Sequence, residues 1–168
     1  MKIRNGFVSN SSSSSFIVKV KKPGFCKTDI GKIIGFLSLL ETASFGRDDS
    51  EETHIIASKK EFVLEKIDRD IDENKQYYAP GFSDLEVRRM IYSGEYKDIE
   101  SLKNALKVEE NVSEFERELL KAKEKVEEVN EDKFDIIFFE LSYHDEVINN
   151  AMNFLEENKE LEVLYGRN

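Results

Sequence analysis

The chain has 168 residues, 39% of them hydrophobic and including 12 Phe and 6 Tyr, which is enough for one packed core and short for two. Its net charge of -10 sets it against nucleic acid and anionic membrane, since both would repel it. Neither direct nucleic-acid binding nor membrane association is therefore expected; a protein partner is. The single cysteine, Cys26, excludes an intramolecular disulfide and fits a reducing, cytoplasmic compartment.

The charge is uneven. Residues 1–27 carry Lys2, Arg4, Lys19, Lys21, Lys22 and Lys27 and no acid, so they hold +6 and leave -16 for the rest. No apolar run reaches the roughly 20 residues needed to span a bilayer. A serine tract occupies the place where a secretory apolar segment would lie, so export by that route is not expected.

Residues 1–15 read as an arm, basic at first and then serine-rich, with little to bury. A single domain is expected over residues 16–168. Phe16, Val18 and Val20 alternate with Ile17, Lys19 and Lys21, the period of a strand with one buried face, and Pro23-Gly24 ends it. Thr28 is the expected N-cap of a helix to about Ser44, whose apolar stripe of Ile30, Ile33, Ile34, Leu37 and Leu40 is wide enough to predict a well-buried element. After a polar loop, His54-Ile55-Ile56-Ala57 reads as a short buried strand.

Three helix starts share the capping-box signature, in which a Ser and a Glu three residues on satisfy each other's amides: Ser58 with Glu61, Ser83 with Glu86 and Ser113 with Glu116. They predict helices to about Asn74, Gly94 and Asn130. The last has a stripe of Phe115, Leu119, Ala122, Val126 and Val129, which suits packing on its own domain or, less fully, a partner helix. Phe134 to Leu141 is nearly continuous in apolar residues, as expected of a central strand covered on both faces. A helix bearing Ile148, Ala151, Met152 and Leu155 follows, and Leu161 to Tyr165 makes a last strand. The order β-α-β-α-α-α-β-α-β predicts a single layered α/β or α+β domain of about four strands with helices packed on the sheet. Strand order is not legible.

Ser142-Tyr143-His144-Asp145 leaves the expected central strand and opens a helix, where α/β sheets often bind ligands. His144 there suits a general base, oriented by Asp145 or Glu140; capping of the following helix by the same residues is the plainer alternative. His54 stands beside Asp48, Asp49, Glu51 and Glu52, but two histidines so far apart make no ligand spacing, and no metal or cofactor is expected. Cys26 reads as packed rather than nucleophilic. The aromatic loop with Tyr77, Tyr78 and Phe82 is either a contact surface for a partner or a set of rings tucked under the helices it joins. Phosphate-binding glycine loops, GxSxG, HExxH and CxxC are absent.

The opening Met1-Lys2-Ile3-Arg4-Asn5-Gly6-Phe7-Val8-Ser9-Asn10, the serines at 11–15 and Phe16-Ile17-Val18 resemble a leader found on uncharacterised bacterial and bacteriophage proteins that differ downstream. The resemblance covers about 18 residues and implies a phage or prophage origin without supplying a catalytic residue. The expectation is an interaction or regulatory protein that binds a host or phage macromolecule through an acidic surface. The alternatives are a small hydrolase or nucleotide-handling enzyme around His144, Asp145 and Glu140, and a virion or assembly component using residues 114–130.

Overall fold

A computed structural model describes residues 13–44, 54–107, 112–142 and 146–166. The chain runs β1 (Ser13–Lys21), a 3-10 turn (Pro23–Phe25), α1 (Ile30–Ser44), β2 (His54–Ser58), α2 (Lys60–Tyr77), α3 (Asp84–Tyr92), α4 (Ile99–Leu106), α5 (Glu114–Glu127), β3 (Phe134–Ser142), α6 (Glu146–Glu157) and β4 (Leu161–Tyr165). The α/β class and four-strand count agree with the sequence reading; α4 is a helix that reading did not include.

The four strands form one antiparallel sheet in the order β2-β3-β1-β4. Both β1 and β2 run opposite to β3, so β1-α1-β2 is a β-α-β unit with β3 lying between its strands. By the same logic β3-α6-β4 is a second such unit, split by β1. Read from the other edge, the order is 4-1-3-2, the interlocked arrangement of the ferredoxin-like split β-α-β fold. Here four helices are spliced between its second and third strands.

The chain divides into two compact units: residues 1–66 with 121–168, and residues 67–120. In the first unit, α1 and α6 pack beside each other on one face of the sheet. Phe16, Val18 and Val20 of β1 meet Ile137, Phe139 and Leu141 of β3 there, under Ile33, Phe36, Leu40, Ile148, Met152 and Leu155. Phe16 and Phe139, opposite each other in the register, stack at 5.7 Å. The other face is also closed: Ile17, Ile136 and Phe138 are buried, and Lys66 of α2 lies over the Phe138 ring at 5.6 Å. Burial on both faces explains why β3 is apolar at consecutive positions instead of alternating.

Several local expectations need correction. β1 starts at Ser13, not Phe16, because the last three serines of the tract pair with Ser142, Leu141 and Glu140 of β3. A free sheet edge satisfies their amides as well as local turns would. Ser58 does not cap α2. It ends β2, and Lys59, left-handed at φ 72°, accepts the first helical bond from the Val63 amide at 3.1 Å. At the start of α1, Asp29 rather than Thr28 supplies the side-chain acceptor, to the Gly31 amide at 2.9 Å. β2 is a half-buried edge strand, not a buried one. α1 is buried on one side only: Ile30, Ile34 and Leu39 are 46%, 49% and 39% exposed. The stripe on α5 is covered within the chain, with Leu119, Ala122, Val126 and Val129 all buried, so it is not free to pair with another helix.

The second unit is helical. Ala79, Val87 and Leu102 form its small core, with Tyr77, Met90, Ile91, Tyr96 and Ile99 packed around them. Two capping boxes are complete there: Ser83 with Glu86, and Asp98 with Ser101. The Ser113 hydroxyl accepts from the Glu116 amide at 3.0 Å and donates to Asn74 Oδ1 at 2.7 Å, while the Glu116 carboxylate faces Lys75 at 3.4 Å.

Candidate functional site

His144 and Asp145 lie outside the described residues, as do Asp48, Asp49, Glu51 and Glu52. Glu140 is half-buried near the end of β3, directly opposite Ser15 of β1 and His54 of β2 in the ladder. The register therefore brings the backbone of one sequence-predicted histidine beside one sequence-predicted carboxylate. Among the described residues, no group of three or more His, Cys, Asp or Glu side chains is placed to hold a metal. No described helix is long and apolar enough to cross a membrane.

An open groove runs beside β2, between α1 and the sheet. Its ionisable lining is Glu41, Lys59 and Asp135, with Leu37, Ile55 and Ile137 as apolar wall. Among the described residues that line it there is neither a thiol nor an imidazole. Asp135 also faces Lys22 at 3.8 Å, an exposed pair that contributes little stability.

The most developed polar cluster is one that sequence reasoning missed. Glu160 is 1% exposed. Its Oε1 accepts from the Lys27 amide at 2.7 Å and the Thr28 amide at 3.1 Å, and its Oε2 forms an ion pair with Lys21 Nζ at 3.2 Å. Burial alone pushes this carboxyl up. The Lys27 amide, the Lys21 ammonium and the Thr28 amide outweigh burial and hold it below the usual carboxylate range. Cys26 sits beside it, half-buried against the main core, with its thiol directed at the carbonyls of Lys21 (3.4 Å) and Lys22 (3.3 Å). Burial, and then the Glu160 charge, push the Cys26 thiol up, against a smaller opposing effect of Lys21. A thiol made less acidic is a poor nucleophile, so the cluster reads as a clasp that pins the 21–28 segment to the start of β4. In the sequence, Glu160 is one glutamate in an acidic run, and nothing in its spacing marks it as buried.

The aromatic loop divides between its two readings. Tyr77 is tucked: it packs on the core of the helical unit, with the Arg88 guanidinium over its ring at 3.9 Å. Tyr78 is half-buried, its amide bonded to the Asn74 carbonyl at 2.8 Å. Phe82 stands out at 38% exposure, and beyond it α3 holds Leu85 and Tyr92, each 75% exposed. Positions 85, 89 and 92 are spaced four and three, so Leu85, Arg89 and Tyr92 share one side of α3. The sequence signal for this surface was the capping box at Ser83. It fixes the helix phase, and Val87 then points inward while Leu85 and Tyr92 are left outside.

Compared with family models, with curated proteins and with solved structures, the chain has no match.

Proposed function

We propose that this chain is a binding protein of phage or prophage type, which acts by occupying a protein partner through the outer side of α3. The observation that carries this reading is the exposure of Leu85 and Tyr92 at 75% each, on a helix rigidly started by a complete capping box. Leaving a leucine and a tyrosine in water on an ordered helix gains nothing for the monomer. Tyrosine and arginine with an aliphatic neighbour form the composition of interface hot spots. Residues 67–120 carry a net negative charge, so the partner is one with a basic rim around an apolar groove, and charge accelerates encounter while α3 supplies the anchor.

The test is paired capture from bacterial lysate with the wild-type chain and a Leu85→Ala/Tyr92→Ala variant of unchanged circular dichroism. One stoichiometric partner retained by the wild type and lost from the variant is expected. Identical recoveries from both, or none from either, would overturn the reading. Raising the salt should slow association; indifference to salt would remove the acidic surface from the account.

A second reading, a small hydrolase or nucleotide-handling enzyme around His144, Asp145 and Glu140, draws on the register that sets His54 opposite Glu140. It requires turnover of a nucleotide or ester panel that His144→Ala abolishes without loss of fold. Absence of turnover with and without divalent metal removes it.

A further inference from the structure

We infer that the groove between α1 and the β2 side of the sheet binds a small zwitterion with an apolar body, a branched or aromatic amino acid or a dipeptide of such residues. The inference is independent of the α3 reading. The groove has a volume of about 650 Å³, inside the range of roughly 300–1,000 Å³ typical of small-ligand pockets. Leu37 of α1, Ile55 of β2 and Ile137 of β3 supply its apolar wall, and Glu41, Lys59 and Asp135 supply its charges. Glu41 and Lys59 are exposed. Among the described residues neither enters an ion pair, and Asp135 meets Lys22 at 3.8 Å rather than Lys59. Opposite charges thus line one groove without meeting across it, and a ligand carrying both signs satisfies both.

Lys59 is the residue that selects an anionic group on the ligand. Its backbone is left-handed at φ 72° and is held from both sides. Its amide donates to the Ile136 carbonyl at 3.2 Å, and its carbonyl accepts the Val63 amide at 3.1 Å. Glycine adopts that conformation without strain, whereas a long side chain there is uncommon. Lys107 and Lys159 are also left-handed, but both follow helix ends, those of α4 and α6, where the helix dipole favours a cation. Lys59 precedes the N-terminus of α2, where the dipole opposes one. Its neighbour Lys60 is accounted for by the fold, since its ammonium donates to the Glu127 and Val129 carbonyls at the end of α5. Lys59 combines a strained backbone with an adverse dipole, and among the described residues its ammonium has no partner. Strain of this kind clusters at ligand sites.

The charge set also excludes simpler ligands. A purely anionic molecule drawn to Lys59 meets two carboxylates, and a purely cationic one drawn to Glu41 and Asp135 meets an ammonium. A zwitterion turns both repulsions into attractions, and its apolar body covers Leu37, Ile55 and Ile137. A free amino acid and a dipeptide share this chemistry and differ in how far apart their charged ends lie, which the experiment resolves.

The experiment is a titration of the full, isotope-labelled chain followed by amide chemical shifts, with phenylalanine, leucyl-leucine, phenylalaninamide and N-acetylphenylalanine as probes. Saturable shifts at the Leu37, Ile55, Lys59 and Ile137 amides are expected with a zwitterion, and the tighter of the two zwitterions sets the length of the ligand. Phenylalaninamide lacks the carboxylate and N-acetylphenylalanine lacks the ammonium, so each should bind about tenfold more weakly than phenylalanine. Lys59→Gly should weaken zwitterion binding about tenfold while the thermal midpoint holds or rises, because glycine relieves the left-handed backbone. Glu41→Gln/Asp135→Asn should weaken it similarly. No saturable shift with either zwitterion up to its solubility overturns the inference. So does binding of the singly charged analogues as tight as that of phenylalanine. A Lys59→Gly chain that binds as before and melts lower overturns the role of Lys59, whose lysine would then be structural.

Discussion

Glu160 Oε1 accepts the backbone amide of Lys27 at 2.7 Å, across 133 residues of sequence. The bond closes the chain at the junction where β1 has ended, α1 has not begun and β4 is about to start. Two amides that no strand or helix could satisfy find one carboxylate, and that carboxylate finds Lys21. Glu160→Ala would leave all of them unpaired in a buried place and is expected to cost about 3 kcal/mol, read as a lower midpoint in urea.

The same carboxylate makes stability depend on pH. Its folded pKa is below the 4.5 of a free glutamate, so its contribution is fully present above about 4.5 and is lost as pH falls through the lower folded value. Unfolding midpoints measured downward from neutral pH should decline below that point. Glu160→Gln keeps an oxygen acceptor but cannot titrate, and should flatten that decline while lowering stability at neutral pH. An unchanged acid limb in the Gln variant would assign the decline to other carboxylates.

Cys26 offers a second view of this clasp. Burial and the Glu160 charge keep its thiol protonated, so alkylation of the native protein at neutral pH should be several-fold slower than in urea. Because Glu160 is one of the causes, Glu160→Gln should speed the native reaction under conditions where the fold persists. A rate unaffected by the substitution would leave burial as the sole cause.

Elements with a strong local period were legible in the sequence. The strand of β1, the continuous apolar run of β3, the capping box at Ser83 and the stripe on α6 were each predicted from a local pattern, although the alternation of β1 implied one buried face and Ile17 is buried on the other. Elements decided by distant partners were not. The sheet order follows from β1 inserting between β3 and β4, which no local pattern encodes. Serines 13–15 read as arm because their strand character comes only from β3 alongside. α4 escaped because its box is Asp98 with Ser101 rather than a serine with a glutamate, and only Leu102 of its eight residues is buried. α1 looked well buried from its wide apolar stripe, yet Ile30, Ile34 and Leu39 face outward. In the Tyr77–Phe82 loop, burial was not legible ring by ring, because it is decided by how the loop packs on the helical unit. Tyr77 is core, whereas Leu85 and Tyr92 are surface.

Caps in the helical unit should matter for presentation of α3. The Ser83 hydroxyl accepts the Glu86 amide at 3.3 Å, and the Glu86 carboxylate returns to the Ser83 amide at 2.8 Å. Those bonds from Ser83 hold the exposed Glu86 carboxyl below its ordinary range. Ser83→Ala should cost about 1 kcal/mol and Ser83→Asp much less, since aspartate accepts the same amide. Hydrogen exchange at the Glu86 and Val87 amides would localise the effect, and an equal loss for Ala and Asp would exclude the cap as its source.

Gly166 closes β4 in a conformation few other residues adopt, at φ 99°, and a Cβ built there would stand 1.9 Å from the Ser15 carbonyl oxygen. The obstacle is backbone of β1, inside the sheet, so it cannot swing aside as a side chain would. Gly166→Ala must therefore twist the end of β4 or push β1 away from it. With the strain of a left-handed alanine added, the expected loss is about 2–3 kcal/mol. Gly24, where a Cβ meets nothing and the backbone is ordinary, is the matched control and should accept alanine with a change of less than about 0.5 kcal/mol. Comparing the two variants by thermal denaturation separates the close approach of β1 and β4 from the generic effect of replacing a glycine, and equal midpoints would mean that Gly166 is not held against Ser15 in solution.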